Sequence, residues 1–170
     1  MSVVFTIGYE GTDIDRFMAT LRAAGVQQVA DVRAVPLSRK RGFSKKSLAA
    51  RLEAEGLLYL PFSGLGDPKP GREAARAGHY DRFRAIYGAH LQAEAAQNEM
   101  TQLVALACAR ATALLCFERD PATCHRSIVA AELGSRGFEV CDLYGDEPER
   151  YARNAARLPR HHPCQSVAAA

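Results

Sequence analysis

The segment Ala113–Arg126 constrains the fold of this chain more than any other. It opens with an apolar run, Ala113–Phe117, which is typical of a buried strand. The run breaks at Asp120 and Pro121, where Asp is a good N-cap and Pro suits the first position of a helix. A helical pattern follows over Thr123–Leu133. We therefore predict a strand, a tight loop and a helix. The chemically active side chains of this segment are Cys116, Glu118, Arg119, Cys124, His125 and Arg126.

Strand-like and helix-like patterns alternate along the rest of the chain. The predicted order is β-α-β-α-β-α-α-β-α-β, with strands at residues 3–7, 26–32, 57–60, 112–117 and 138–143. Such alternation predicts a single three-layer α/β domain over residues 1–145, with a mostly parallel sheet of about five strands and helices on both faces. Residues 61–78 are rich in Pro and Gly and are predicted to form a long loop. Residues 146–170 are predicted to be a polar C-terminal extension with a frayed end.

Composition narrows the class of protein further. A chain of 170 residues suits one domain with a real core. It holds no apolar run of transmembrane length and no signal-peptide pattern at its start. The five cysteines are an odd number without a disulfide-like arrangement, which predicts free thiols in a reducing, cytoplasmic setting. No dinucleotide or P-loop motif is present in the sequence, so no cofactor is predicted.

Polar clusters follow several of the predicted strands. In open parallel sheets, ligands bind outside the carboxyl ends of the strands. The clusters Tyr9–Glu10, Asp31–Arg33 and Glu118–Arg119 lie at such ends, and the helix start Cys124–Arg126 lies at the same edge. We predict a site there for an anionic, phosphate- or nucleotide-bearing substrate. The predicted substrate-binding residues are Tyr9, Glu10, Asp31, Arg33, Arg39 and Arg126.

The predicted catalytic residues are Cys124, Glu118 and His125. A thiol in the first turn of a helix near Arg side chains should have a lowered pKa, so Cys124 is a candidate nucleophile, or else a small side chain packed inward. Glu118 could act in acid/base chemistry, or pair with Arg126 or another Arg and fix the loop. His125 could cap the helix, bind an anion or act as an acid or base. Cys116 lies in the strand and is predicted to pack in the core.

A strongly basic segment spans residues 33–51. It favours either a clamp for a phosphorylated small molecule or a nucleic-acid contact, with Phe43 available to stack on a base. A solvated charged face is the third interpretation. The basic residues are Arg33, Arg39, Lys40, Arg41, Lys45, Lys46 and Arg51.

A metal site is not predicted. Cys124 and His125, with the distant His161, His162 and Cys164, supply suitable ligand types. They lack the spacing of a known metal-binding motif.

Taken together, several short motifs resemble the domain-of-unknown-function family 488. They are Thr6–Gly11, Asp31–Arg33 with Pro36, Ser38 and Arg39, Leu65–Gly66, Cys116–Glu118, Asp120–Pro121 and Cys124–Arg126. The resemblance covers about residues 3–143 and implies a shared fold and site, but no particular reaction. That family often carries a His after the last strand, where this chain has Asp142 and Leu143.

A fainter similarity is to rhodanese-like sulfurtransferases, which also have an early Asp-Val-Arg strand end and a late strand, Cys loop and helix. This similarity implies sulfur transfer at Cys116.

Overall fold

A computed structural model describes residues 2–164 and contains one sheet in which the five strands are all parallel. The order across the sheet is β3-β2-β4-β1-β5. This confirms the predicted α/β class with its parallel sheet. The strands are β1 (Val3–Gly8), β2 (Gln28–Asp31), β3 (Leu58–Pro61), β4 (Thr112–Cys116) and β5 (Glu139–Tyr144).

Helices cover both faces of the sheet, as a three-layer domain requires. They are α1 (Ile14–Ala23), α2 (Lys45–Ala54), α3 (Lys69–Arg76), α4 (Tyr80–Leu91), α5 (Glu94–Ala109), α6 (His125–Ser135) and α7 (Pro148–Arg153). Apolar residues of α1, α2 and α7 pack in one cluster, and those of α3 to α6 pack in another. Strands β1, β2 and β4 are buried along their whole length, which explains their unbroken apolar character.

The predicted long loop over residues 61–78 is wrong in its second half, because α3 occupies Lys69–Arg76. Pro70 lies in the first turn of that helix, where a missing N–H leaves no hydrogen bond unmade. The Pro and Gly content that suggested a loop is therefore compatible with a helix start. Helix α3 brings two Arg side chains to the carboxyl edge of the sheet.

The predicted helix start at Asp120 and Pro121 also needs correction, and the structure shows how α1 begins. The N-cap of α1 is Asp13, whose side chain accepts a hydrogen bond from the backbone N–H of Arg16. The hydroxyl of the preceding residue, Thr12, donates to the carbonyl oxygen of Gly145 at 2.8 Å. Asp120 and Pro121 begin only a short 3₁₀ turn, and α6 starts after it with Cys124 as the N-cap.

The C-terminal part packs on the domain through α7, which contacts α1. Tyr151 joins the core cluster there. A disulfide links Cys108 at the end of α5 to Cys164, so the prediction that the cysteines are free thiols is wrong for this pair. The predicted fraying of the chain end concerns residues 165–170, which lie outside the described residues. Within residues 2–164, none of the helices is long and apolar enough to cross a membrane.

Candidate functional site

A cleft of about 580 Å³ lies at the carboxyl edge of the sheet. Four strands lead into its lining: Tyr9 follows β1, Arg33 follows β2, Asp67 follows β3 and Cys116 ends β4. A smaller cleft of about 230 Å³ shares several of the same lining residues. We call the two together the edge cleft. Its position is the one at which open parallel sheets bind ligands.

The edge cleft is shaped by a close approach between the loops that follow β1 and β4. The last residues of these strands, Gly8 and Cys116, are register partners. A Cβ atom on Gly8 would lie 1.8 Å from the carbonyl oxygen of Glu118, so only Gly fits there. The backbone N–H of Glu10 donates to the carbonyl of Phe117 at 2.8 Å, which holds the two loops together.

Three side chains meet at the floor of the edge cleft: Cys116, Cys124 and His125. Nδ1 of His125 lies 3.7 Å from Sγ of Cys116 and 3.8 Å from Sγ of Cys124. The three ligand-type atoms all lie within 4.8 Å of one another. We call these residues the thiol–imidazole cluster. Cys116 is buried as predicted, but it also lines the cleft.

His125 is held in one orientation by the strand beside it. Its Nε2 lies 2.7 Å from the carbonyl oxygen of Val32 and donates to it, because a carbonyl can only accept. In the neutral imidazole, Nδ1 therefore carries a lone pair aimed at the two sulfurs. Burial lowers the pKa of His125, but the hydrogen bonds to Cys124 and Val32 and the negative charge of Glu118 outweigh burial and raise it.

Glu118 lies beside the thiol–imidazole cluster and lines both parts of the edge cleft. Its Oε2 accepts a hydrogen bond from the thiol of Cys116 at 3.1 Å. Burial raises the pKa of Glu118, but hydrogen bonds from the two thiols and from its own backbone N–H outweigh burial and lower it. The side chain is therefore an ionised carboxylate near neutral pH.

The structure overturns the expected activation of Cys124. The side chain is almost wholly buried, and burial together with the neighbouring Cys116 raises the pKa of the Cys124 thiol well above its ordinary value. The helix N-terminus supplies one weak contact, from the backbone N–H of Arg126 to the sulfur at 3.5 Å. Desolvation of the thiolate outweighs this contact, so the predicted fall in pKa is wrong.

Sequence reasoning missed Asp67, Arg72 and Arg76, which line both parts of the edge cleft. The carboxyl group of Asp67 is buried, and its Oδ1 has no hydrogen-bond partner among residues 2–164. Burial raises the pKa of Asp67 to about 6, despite the opposing positive charges of His125 and Arg72. Asp67 lies six residues after the end of β3, within the predicted loop, so its place in the sequence did not indicate a site residue.

Arg126 is fully buried and serves the loop that precedes its helix. Its guanidinium donates to the carbonyl oxygens of Glu118 and Arg119. The predicted ion pair between the side chains of Glu118 and Arg126 is thus replaced by contacts to backbone. The substrate-binding role of Arg126 stays a prediction, and the contacts point to a role in positioning Glu118.

Asp31 and Arg33 form a buried ion pair at the end of β2. Arg33 donates to both carboxylate oxygens of Asp31, at 2.8 and 2.6 Å, and to the hydroxyl of Tyr9 at 3.2 Å. The hydroxyl of Tyr59 donates to the same carboxylate at 2.6 Å. These bonds occupy most of the donors of Arg33, so the pair acts first as a support for the wall of the cleft. Contact of either residue with substrate stays a prediction.

The basic segment 33–51 is less free than its sequence indicates. Arg51 forms ion pairs with Asp15, which is distant in the sequence, and with Glu55 at the end of its own helix. Phe43 is fully buried and stacks on Tyr9 with ring centroids 4.5 Å apart, so the predicted base-stacking role of Phe43 is wrong. The cations that remain exposed on this surface are Arg39, Arg41, Lys45 and Lys46.

Glu10 and Arg39 complete the predicted site residues. The carboxylate of the exposed Glu10 accepts a hydrogen bond from the backbone N–H of Arg119 at 2.9 Å. Arg39 is exposed on the basic loop and is not among the residues that line the larger part of the cleft. The sulfur of Cys164 is in a disulfide and is not available to a metal with His161 and His162.

This fold and site define an α/β protein with a thiol–imidazole cluster at the carboxyl edge of a parallel sheet. The family model described as Domain of unknown function DUF488 matches residues 13–133, and the chain belongs to that family. The resemblance in the sequence motifs is thereby confirmed. No curated protein and no solved structure matches the chain. The similarity to rhodanese-like sulfurtransferases stays a prediction.

Proposed function

We propose that this protein is an enzyme that acts on a small anionic substrate, bearing a phosphate or a nucleotide, in the edge cleft. One observation carries the proposal: the cleft brings the cations Arg72 and Arg76 together with the ionised Glu118 above the thiol–imidazole cluster. Clefts that combine a few convergent polar groups with groups of shifted pKa are the common form of enzyme active sites.

The anionic part of the substrate would bind at α3. Arg76 is exposed at the end of this helix, and Arg72 uses one donor on the carbonyl oxygen of Asp67. A guanidinium has five N–H donors, so Arg72 keeps others for a ligand. Planar paired donors of this kind suit phosphate and carboxylate groups.

Part of the lining of the cleft is apolar and favours a substrate with a planar organic part. Val35, Leu37 and Phe117 all line the larger part of the cleft and are 52%, 76% and 45% exposed. Large apolar side chains exposed together on the wall of a cleft are typical of ligand contacts. A nucleobase would cover these side chains while its phosphate lies at α3.

Glu118 is the group best placed to move a proton. As a carboxylate it can accept the proton of an attacking water or hydroxyl, and the contacts of Arg126 to the loop hold it in place. Positioned bases of this kind contribute about 10²–10⁴-fold to the rate of a reaction. The proposed catalytic centre is Glu118 with Cys116, Cys124 and His125.

Binding of adenosine monophosphate and of inorganic phosphate, measured by titration calorimetry, tests the first half of the proposal. We expect the nucleotide to bind more tightly than phosphate, and Arg76→Gln to weaken nucleotide binding about tenfold, or about 1.4 kcal/mol. Lys69→Gln removes an exposed cation from the same helix outside the cleft and is the matched control. Equal losses in the two variants, or no binding of either probe, would overturn the proposed site.

A screen of phosphate esters and nucleotides for turnover tests the second half. On any substrate found, we expect Glu118→Gln to lower kcat by about 100-fold or more, with little change in KM. Full activity of this variant would remove Glu118 from the mechanism.

Nucleic-acid binding by the basic segment is a separate candidate, favoured by the exposure of Arg39, Arg41, Lys45 and Lys46. Phosphate contacts are strongest at low salt, so a gel shift with single- and double-stranded DNA and RNA should then show a complex. Lys45→Gln together with Lys46→Gln should weaken it. Absence of a shift at low salt would end this hypothesis.

Sulfur transfer is the other candidate. It is favoured by the position of Cys116 at the end of β4, where the residue lines the cleft. Attack of the Cys116 thiolate on the outer sulfur of thiosulfate would break the S–S bond and release sulfite. Sulfur transfer therefore predicts a persulfide on Cys116, visible as added sulfur by mass spectrometry. An unmodified Cys116 would end it.

A further inference from the structure

We propose that Cys116, Cys124 and His125 bind a thiophilic divalent cation, of which Zn²⁺ is the best example. This inference stands on the geometry of the thiol–imidazole cluster and does not require that the edge cleft binds an anion. The sequence pattern gave no indication of it, because the two cysteines and the histidine have no known metal-motif spacing.

The nitrogen–sulfur distances within the cluster match those of a tetrahedral zinc site. With Zn–S about 2.3 Å and Zn–N about 2.0–2.1 Å, nitrogen and sulfur ligands of one ion lie about 3.6 Å apart. Nδ1 of His125 lies 3.7 Å from one sulfur and 3.8 Å from the other. Nδ1 is therefore spaced from both sulfurs as two ligands of one ion require, and all three atoms lie within 4.8 Å of one another.

The second nitrogen of His125 is fixed as metal sites require. Metal-binding histidines almost always donate their other ring N–H to a carbonyl or carboxylate, which sets the tautomer and the ring direction. Here Nε2 donates to the carbonyl oxygen of Val32 at 2.7 Å. Tyr87 packs against the ring with its centroid at 5.3 Å and limits its rotation. The lone pair on Nδ1 is thus already directed at the proposed metal position.

The ligand types select the metal. Two thiolates and an imidazole favour zinc and other soft cations over Mg²⁺ and Ca²⁺, which prefer oxygen. Binding is balanced by release of the two thiol protons to solvent, and of the imidazolium proton where His125 is protonated. Both thiols are buried. The two negative charges of the thiolates would balance the two positive charges of the cation.

Two protein carboxylates line the cleft together with the thiol–imidazole cluster. Glu118 is adjacent, with Oε2 3.1 Å from Sγ of Cys116. Asp67 lines the same part of the cleft and is more than nine-tenths buried, with one carboxylate oxygen that has no partner among residues 2–164. A site with three protein ligands and a nearby carboxylate resembles in chemistry the open sites of catalytic zinc rather than closed structural ones.

Cobalt binding to the full chain, followed by absorption spectroscopy, is the test. After chelator treatment and with a non-thiol reductant, one equivalent of Co²⁺ should produce sulfur-to-cobalt charge-transfer bands and the intense visible bands of tetrahedral cobalt. Added Zn²⁺ should displace it. We expect Cys116→Ser and Cys124→Ser each to weaken binding by at least about tenfold.

Two controls separate this cluster from the other cysteines. Cys141→Ser removes the remaining free thiol, which lies on β5, and should leave the spectrum unchanged. The double variant Cys108→Ser, Cys164→Ser should also leave it unchanged, which excludes binding at the disulfide cysteines once they are reduced.

A second measurement on the unaltered protein covers the case in which a cluster variant does not fold. Under conditions that alkylate all three free cysteines of the metal-free protein, Zn²⁺ should protect Cys116 and Cys124 and leave Cys141 unprotected. Absence of tetrahedral cobalt bands in protein shown to be folded by circular dichroism, or bands that survive removal of both cluster cysteines, overturns the proposal. Neither measurement needs a substrate. Failure of metal binding can therefore be distinguished from failure of nucleotide binding, which concerns the proposed function.

Discussion

The carbonyl oxygen of Val32 lies 2.7 Å from Nε2 of His125 and joins the end of β2 to the first residue of α6. This buried bond links two elements that are far apart in the chain. It fixes the direction in which Nδ1 faces Cys116 and Cys124. The imidazole of His125 therefore faces the sulfur of its sequence neighbour Cys124 because the chain at the end of β2 fixes the direction of the ring.

The reactivity of the cysteines should follow their burial. We expect Cys124 in the metal-free protein to alkylate more slowly at neutral pH than a free thiol, whose pKa is about 8.5, and to accelerate only under alkaline conditions. Burial also raises the pKa of the half-buried Cys141, which serves as the internal comparison. Mass spectrometry of each site across a pH series measures this. Fast modification of Cys124 in the folded protein at neutral pH would contradict the prediction.

The ion pair at the end of β2 should carry a large share of the stability. Asp31→Asn leaves the buried guanidinium of Arg33 without its counter-charge, which we expect to lower the free energy of unfolding by about 3–5 kcal/mol. Asp15→Asn breaks an ion pair at the surface and should cost less than about 1 kcal/mol. Urea unfolding of both variants gives the comparison. Similar losses would show that the buried pair has no special role.

Asp67 should make stability depend on pH. Its pKa of about 6 in the folded protein exceeds the usual value of about 3.9, so the folded state holds the proton more tightly. Stability from this group is therefore complete below about pH 4 and is lost as pH rises through about 6. We expect the stability of Asp67→Asn relative to the original protein to rise by about 1–2 kcal/mol between those limits.

Urea unfolding at several pH values measures the effect of Asp67. Asp81→Asn, which alters a fully exposed carboxyl group, is the matched control and should show no such trend. A difference between Asp67→Asn and the original protein that does not change with pH would refute the assignment.

Gly8 should tolerate no side chain. The methyl group of Gly8→Ala would meet the carbonyl of Glu118, which belongs to a loop held by hydrogen bonds to Glu10. We expect the free energy of unfolding to fall by about 1–3 kcal/mol or more, with lower turnover of any substrate found because Glu118 moves. Gly88→Ala in α4 meets nothing within 4 Å and should instead stabilise the protein by about 0.5–1 kcal/mol. Thermal unfolding of the pair measures the contrast.

The strands and the class of fold could be predicted because they depend on local pattern. The run of buried residues before Cys116 and the alternation of elements needed no knowledge of distant contacts. Helix α3 was missed because Pro and Gly occur both in loops and at the start of a helix. Asp67 was then placed in a long loop and was not considered as a site residue.

The candidate site was only partly predictable, because its properties arise from contacts between distant elements. The raised pKa of Cys124 depends on burial, which its place at a helix start does not reveal. Phe43 lies among cations in the sequence, yet Gly42, with φ of 90°, turns the chain so that the ring enters the core. The meeting of Cys116 with His125 likewise needed the path of the loop between them.

The disulfide between Cys108 and Cys164 makes a covalent ring of the last third of the fold. Strand β4, α6 and every residue of the thiol–imidazole cluster lie inside that ring. A single protease cut between these cysteines therefore opens the ring without releasing a piece, and the two fragments stay joined until a reductant is added. Electrophoresis with and without reductant would thus show whether the ring is closed in the protein as isolated.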